Sequence, residues 1–259
     1  MSAQPPAIKM QDVTVSARWD ESLPMVTGVN WTVAPGEFWA VGGLQQSGKT
    51  DFLMLAAGVM PPLAGSLELF GRDTREFGEA ELAERLRVAC VFEHGQLFSH
   101  MTLAENIALP LRYRRNLGAA EAVDEIMALL DLLELTPHAG ALPARVSRDW
   151  LKRAALARAL VLRPRVLLCD NPLNGLGARH REWWRRFLDQ LWQGHEQFGG
   201  EPMTMVVTTE ELVPWQHPER RFALLQGGQF FPLGTWAEAA RSADPAVAEW
   251  LTGIPATTI

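Results

Sequence analysis

The chain has 259 residues, of which 47% are hydrophobic and 21% charged, and its formal net charge is −6. This balance suits one soluble globular α/β domain and argues against a nucleic-acid-binding surface, which needs concentrated positive charge. No apolar run reaches the roughly 18 residues that would span a bilayer. The short Pro-rich start lacks the pattern of a signal peptide, and two cysteines exclude a disulfide framework.

Alternating apolar residues predict several strands in the first part of the chain, separated by turn residues such as Pro35-Gly36. The predicted strands are 8–15, 26–33, 38–41, 65–71 and 87–92. A short helix is predicted at 79–86.

Residues 43–50 read Gly-Leu-Gln-Gln-Ser-Gly-Lys-Thr, the complete pattern of a phosphate-binding loop. A buried strand precedes the loop and a helix follows it, so a bound phosphate would lie at a helix N-terminus. Lys49 supplies positive charge to the terminal phosphates, and Thr50 supplies a hydroxyl for Mg²⁺. The residues predicted to bind the nucleotide phosphates are Gly43, Gln46, Ser47, Gly48, Lys49 and Thr50. A glycine-rich turn with a surface lysine is the alternative.

The middle of the chain shows helical periodicity from 102 to about 135, followed by a helix at 149–162. The apolar run Val166–Cys169 then predicts a buried strand that ends in Asp170. A carboxylate at the C-terminal end of a strand beside the phosphate loop is placed to hold Mg²⁺ through water. An aspartate that caps a turn is the alternative.

The last part of the chain predicts two further pairs of elements. An amphipathic helix at 179–192 precedes a buried strand at 203–208. A hairpin at 223–233, around Gly227-Gly228, precedes a short helix at 245–251.

In this order, the elements resemble the nucleotide-binding subunit of ABC transporters over nearly the whole chain. Outside the loop, the most specific segments are 152–160 and 162–176, which are similar to the family's stretch from the signature helix through the acid-ended strand. The resemblance implies an α/β P-loop NTPase domain of the ABC type, with an N-terminal antiparallel β subdomain and an inserted helical lobe. The implied single domain is 1–259, with the helical lobe at about 98–160 and a C-terminal hairpin and short helix at about 222–253. ATP and Mg²⁺ are the implied cofactors.

Two segments, 92–112 and 244–253, look like the Mla-type subgroup that serves MCE lipid-transport systems. This likeness implies an integral-membrane permease, a second ATP-binding subunit in a homo- or heterodimer, and MCE-type lipid-binding proteins reached through the complex. It places the chain peripherally on the cytoplasmic face of the inner membrane. Residues 93–111 would contact the permease, with ordinary packing inside the helical lobe as the alternative.

Three positions that act on the bound nucleotide in the family are substituted. Asn171 stands where a catalytic glutamate is expected, and an amide can orient water but cannot take its proton. Thr209 stands at the expected switch histidine, so no catalytic residue is predicted to be intact. Glu93 stands at an expected glutamine and can still bind metal, so the predicted metal ligands are Thr50, Asp170 and Glu93.

The signature segment, Val146–Trp150, is also altered. Ser147 remains and is predicted to contact the nucleotide of a partner subunit, but Arg148 and Asp149 replace two glycines. Gly177 replaces the aspartate expected in the loop after the acid-ended strand.

The adenine-stacking aromatic is expected near position 17, which is Ala17, and Trp19 is two positions away and could substitute. Together these changes predict an ATP-binding subunit with weakened hydrolysis. The main alternative is a non-hydrolysing pseudo-ATPase that acts as a structural or regulatory clamp beside an intact ATPase subunit. A small-molecule kinase with the same loop is a third possibility, against which the helix at 155–160, just before the acid-ended strand, argues.

Overall fold

The computed structural model describes residues 4–78, 87–115 and 123–252. The strands of these residues are β1 (Ile8–Ala17), β2 (Asp20–Val33), β3 (Phe38–Gly43), β4 (Ala64–Leu69), β5 (Arg72–Asp73), β6 (Val88–Val91), β7 (Val166–Cys169), β8 (Thr204–Thr209), β9 (Arg221–Gln226) and β10 (Gln229–Thr235). The α-helices are α1 (Lys49–Ala56), α2 (Leu103–Arg115), α3 (Val123–Leu132), α4 (Arg148–Leu160), α5 (Ala178–Gln193), α6 (Trp236–Ala239) and α7 (Pro245–Thr252). The helix predicted at 79–86 lies outside the described residues.

The strands form one mixed sheet in the order β5-β4-β1-β2-β10-β9-β3-β8-β7-β6. At one end, β1 pairs antiparallel with both β2 and β4, and the register of each pairing shifts along the strand. This end is the predicted N-terminal antiparallel subdomain. A parallel pairing between Gln229 of β10 and Thr27 of β2 joins it to the rest of the sheet.

At the other end, β9, β3, β8, β7 and β6 run parallel to one another. Every residue of β3, β7 and β8 is buried, which explains why these strands contain no charged residue and do not alternate between apolar and charged positions. Their carboxyl ends meet at one edge of the sheet. The segments that follow them, including the phosphate loop after β3, therefore lie close together.

The helices cover this sheet and bury two apolar clusters. In one cluster, α1 packs Phe52 against Trp31 of β2 and Phe230 of β10, with ring centroids 5.2 Å and 5.4 Å apart. In the other, Leu103, Ile107 and Leu111 of α2 are fully buried in the core that α4 and α5 share.

Helices α2 to α4 lie within the range about 98–160 that the sequence assigns to the helical lobe, and the exact boundaries of the lobe stay a prediction. The fold is the predicted ABC-type P-loop architecture. Across the described ranges, no helix combines the length and apolarity that crossing a membrane requires.

Candidate functional site

The phosphate loop opens on a cleft at the carboxyl edge of the parallel strands. Trp19, Glu93, Asn171 and Glu210 line this cleft together with the loop and the start of α1. Residues that are far apart in the sequence therefore share one site because the strands that precede them are neighbours in the sheet.

The loop itself is shaped for a phosphate. Gly48, at φ 85°, precedes the first turn of α1 in a left-handed conformation that favours glycine. A Cβ on Gly43 would collide with Ser47 Oγ and crowd Lys49 and the carbonyl oxygen of Leu225, so a larger residue there would displace the loop's side chains. Ser47 Oγ is buried and, among the described residues, has no hydrogen-bond partner. An orphaned hydroxyl beside a glycine cradle fits a phosphate oxygen as its missing partner.

Lys49 is the buried cation of the site. Its Nζ donates hydrogen bonds to the carbonyl oxygens of Gly43 and Leu44, both at 2.6 Å, and lies 3.7 Å from Glu210 Oε1. Burial lowers the pKa of Lys49, and the negative charges of Glu210 and Asp170 oppose that shift. The amine is thus held at the loop by carbonyl dipoles and carboxylates, and a polyphosphate would supply it with stronger counter-charge.

Glu210 was not among the sequence-predicted site residues. It directly follows Thr209, the last residue of β8, so it lies at the same sheet edge as the loop. A carboxylate one residue beyond a strand that neighbours β3 is the signal that would have pointed to it.

Thr50 and Asp170, two predicted metal ligands, are in contact. Thr50 Oγ1 donates to Asp170 Oδ2 at 2.7 Å, and Thr208 Oγ1 donates to Asp170 Oδ1 at the same distance. A carboxylate and a hydroxyl are the hard oxygen ligands that Mg²⁺ takes, usually together with water and phosphate oxygens. In the part of the chain that the structure describes, no group of three or more His, Cys, Asp or Glu could hold a metal alone. Thr50 and Asp170 supply two oxygen ligands of the kind that bind Mg²⁺ together with phosphate and water.

Glu93, the third predicted ligand, lies in the cleft but is engaged by other residues of the chain. Its Oε1 accepts from Asn174 Nδ2 at 2.7 Å and from Arg148 Nη2 at 3.3 Å. Its Oε2 accepts from Asn171 Nδ2 at 3.2 Å. Oε2 accepts one hydrogen bond and Oε1 two, and metal ligation by Glu93 stays a prediction.

Asn171 and Thr209, at the expected base and switch positions, line one groove beside the cleft. Asn171 has φ 42°, in the left-handed region that asparagine tolerates better than most residues. Its backbone N–H donates to Thr208 Oγ1 at 3.2 Å. Thr209 Oγ1 donates to the carbonyl oxygen of Glu211 at 2.9 Å, so this hydroxyl caps its own turn.

Ser147 is the one predicted nucleotide ligand that the structure keeps apart from the loop. It is exposed at the N-terminus of α4 and does not line the cleft. The next residue, Arg148, reaches Glu93, and Asp149 lies 3.8 Å from His180 Nε2. A role for Ser147 would therefore concern a nucleotide that another subunit holds.

Trp19 lies at the rim of the cleft, in the turn between β1 and β2. Its side chain is 63% exposed, and it is the one exposed residue among the ten tryptophans, all of which the structure describes. The guanidinium of Arg18 stacks 5.3 Å from its ring, and the Arg18 backbone N–H donates to Asp51 Oδ1 at 2.9 Å. Ala17 is fully buried and faces away from solvent, so Trp19 is the aromatic surface available there.

Comparison with known proteins agrees with this geometry. The family described as ABC transporter matches residues 26–174. The chain is 33% identical over 83% of its length to the methionine import ATP-binding protein MetN of Caulobacter vibrioides. It is 33% identical over 84% of its length to the sulfate/thiosulfate import ATP-binding protein CysA of Photorhabdus laumondii. It is 32% identical over 83% to the spermidine/putrescine import ATP-binding protein PotA of Trichodesmium erythraeum.

The chain spans 63%, 58% and 54% of the length of these three relatives. Among solved structures, it superimposes on a dimeric ATP-binding cassette in a post-hydrolysis state bound to ADP and Pi, with a TM-score of 0.74 and 26% identity. That match covers 86% of this chain and 95% of the other.

Proposed function

The chain belongs to the ABC transporter family, and on this premise we propose that it is an ATP-binding subunit that binds Mg²⁺–ATP firmly and hydrolyses it slowly. The convergence of Lys49 with the Thr50–Asp170 pair in one cleft carries the first half of the proposal. The contacts of Asn171 and Thr209 carry the second half.

ATP would be bound by the phosphate loop and start of α1. Lys49 and the backbone N–H groups around Gly48 would take the terminal phosphates, Ser47 Oγ would gain the partner that it lacks, and Trp19 would stack on the adenine. Thr50 and Asp170 would hold Mg²⁺, which would neutralise phosphate charge and orient the terminal phosphate.

Hydrolysis would be slow because no carboxylate occupies the base position. The side chain of Asn171 is a hydrogen-bond donor to Glu93, and an amide cannot accept a proton from water. Loss of a general base costs roughly a hundredfold to ten-thousandfold in rate. Thr209 adds no proton acceptor of the histidine type, because its hydroxyl is bound to Glu211.

The proposed setting is a dimer of ATP-binding subunits docked on an integral-membrane permease, peripheral to the cytoplasmic face of the inner membrane. The proposed cargo is lipid, as in Mla/MCE systems, and it is supported by the two segments 92–112 and 244–253. The three relatives above carry the names of importers for small water-soluble compounds. Reconstitution with its permease tests the cargo: the proposal predicts transfer of phospholipid, and uptake of methionine, sulfate or spermidine alone would contradict it.

A second candidate function is a non-hydrolysing clamp beside an intact ATPase subunit. The observation that favours it is the set of hydrogen bonds of Glu93. They connect the loop at 171–174 to Arg148 of α4, so this carboxylate has a structural role.

Reconstitution of the complex with the second subunit separates the two functions. Asp170→Asn in this chain should lower transport-coupled ATP turnover if the chain energises transport, and should leave it unchanged if the chain is a clamp whose partner hydrolyses the ATP. The subunit ratio, measured in the same preparation, shows whether the complex still assembles with Asp170→Asn.

A further inference from the structure

We propose that Glu93 and Asn171 form a hydrogen-bonded acid–amide pair in which the acid and the amide stand at each other's expected positions. Glu93 acts as a positioning residue, because its carboxylate requires an amide at position 171. The resemblance leads one to expect glutamine at 93 and glutamate at 171, whereas this chain has Glu93 and Asn171. Their side chains touch, with Asn171 Nδ2 donating to Glu93 Oε2 at 3.2 Å. The inference concerns the site of the proposed function, but its first test needs no nucleotide.

The partners of Glu93 are all donors. Besides Asn171 Nδ2, the donors are Asn174 Nδ2 at 2.7 Å and Arg148 Nη2 at 3.3 Å, both to Glu93 Oε1. An ionised carboxylate only accepts hydrogen bonds, so each donor is matched. A glutamate at 171 would put a second carboxylate where a donor is needed, and two carboxylates in contact repel each other or force one to take up a proton.

Arg148 is part of the same set. Its guanidinium lies beside Gly175, where an added Cβ would come within 2.8 Å of Nη1, and its Nη2 is 3.2 Å from His94 Nδ1. The arginine that replaces a signature glycine is therefore bound within its own chain, between residues 93–94 and the loop that contains Asn171 and Asn174.

The loop is also fixed from a second direction, so its donors cannot easily turn away. Lys152 of α4 is 1% exposed and donates to the carbonyl oxygens of Asn171, Pro172 and Asn174, at 3.0, 3.3 and 2.8 Å. These bonds fix the backbone at 171, so a new side chain there begins from the same position beside Glu93 as the side chain of Asn171 does.

The experiment compares Asn171→Gln with Asn171→Glu, each with Glu93 present and with Glu93→Gln. Glutamine and glutamate match in size, and both bear the same strain at φ 42°, so their difference reports charge and hydrogen-bond polarity alone. With Glu93 present, Asn171→Glu should melt roughly 4–8 °C below Asn171→Gln in the absence of nucleotide and Mg²⁺. With Glu93→Gln, this deficit should shrink to less than about 2 °C or reverse, because the amide then donates to the new carboxylate.

An equal melting temperature for the two variants beside Glu93 would overturn the inference. So would a deficit of the same size in both backgrounds, because it would show that Asp170 or the fold, and not Glu93, rejects a carboxylate at 171. If Asn171→Glu fails to fold, recovery of folded protein in the Glu93→Gln/Asn171→Glu double variant supports the pair, and failure of the double variant as well contradicts it.

Turnover provides a readout that a merely structural contact would not change. The double variant should hydrolyse ATP at least tenfold faster than Asn171→Glu alone, with ATP affinity within about threefold of the parent chain. The two variants can melt at the same temperature while the parent chain still hydrolyses ATP slowly. That result would contradict the pair and leave the proposed function unaffected. If the melting comparison succeeds but the parent chain hydrolyses ATP at a typical rate, the pair is supported and the proposed slow hydrolysis is contradicted.

Discussion

The site has two walls that are built differently: one surrounds the phosphate loop, and the other extends from the cleft to the groove beside it. The phosphate-side wall, Gly43–Thr50 with Asp170, keeps every residue type that its pattern requires, and its polar atoms either point at one another or, like Ser47 Oγ, lack a partner. The reaction-side wall, which consists of Glu93, Arg148, Asn171 and Thr209, differs from expectation at each position, and each of its side chains makes a hydrogen bond within the chain. Buried polar atoms without a hydrogen-bond partner indicate where a ligand is expected. Polar atoms that are hydrogen-bonded within the chain indicate a structural role.

The largest effect should follow from removing the cation of the phosphate-side wall. We expect Lys49→Ala to weaken Mg²⁺–ATP binding by on the order of 100-fold or more, because charge-assisted hydrogen bonds to phosphate contribute about 1.5–3 kcal/mol each. Titration with a fluorescent ATP analogue measures the change. Lys9→Ala, which removes a surface lysine paired with Glu68, is the matched control and should bind like the parent chain.

Asp170→Asn should act on the metal rather than on the nucleotide as a whole. The amide keeps the size of the carboxylate and loses its charge, so the gain in ATP affinity that Mg²⁺ produces should fall by roughly tenfold to a hundredfold. ATP affinity measured with excess EDTA should stay within a few-fold of the parent. An unchanged Mg²⁺ effect would remove Asp170 from the metal site.

Trp19→Ala should weaken ATP binding by roughly tenfold, because stacking of a base on an aromatic ring contributes about 1–3 kcal/mol. Trp19→Phe should retain most of the affinity. Inorganic triphosphate, which has no base, should bind the parent and Trp19→Ala equally well, and a parallel loss for both ligands would show that Trp19 supports the loop instead of the adenine.

The smallest expected effect concerns Lys152, which ties α4 to the reaction-side wall. Burial lowers the pKa of Lys152 to about 8, whereas an unfolded lysine titrates near 10.4. Between these two pH values the unfolded chain binds more protons, so the Lys152 contribution makes the free energy of unfolding rise with pH. The melting temperature of the parent minus that of Lys152→Met should therefore increase from pH 7.5 to pH 9.5 by a few degrees. A constant difference over this window would show that the buried amine stays charged, and a decrease would show that its pKa lies above that of the unfolded chain; either result would contradict this prediction.

Much of the fold was predictable from the sequence, because strand and loop patterns are local. The runs at 26–33 and 38–41 lie within β2 and β3, and the hairpin around Gly227-Gly228 joins β9 to β10. The strand predicted from the apolar run before Asp170 is β7, which spans Val166–Cys169 and ends one residue before the acid.

The contacts of the site were less predictable. Phosphate-side contacts follow from a motif of eight residues and one strand end. The approach of Glu93 to Arg148 and the burial of Lys152 under the 171–174 loop depend on how α4 packs beside the sheet edge, which no local pattern reports. The proximity of Glu210 to Lys49 depends in the same way on the neighbouring positions of β3 and β8.

The turnover number of the purified parent chain at saturating Mg²⁺–ATP tests the central contrast most directly. A typical enzyme turns over at about 10 s⁻¹, and loss of the base lowers this by roughly 10² to 10⁴. The account predicts a turnover number of about 0.1 s⁻¹ or less in a preparation that binds stoichiometric ATP and loses that binding with Lys49→Ala. A value near 10 s⁻¹ that Asp170→Asn abolishes would contradict it, because the reaction-side wall would then be catalytically competent as it stands.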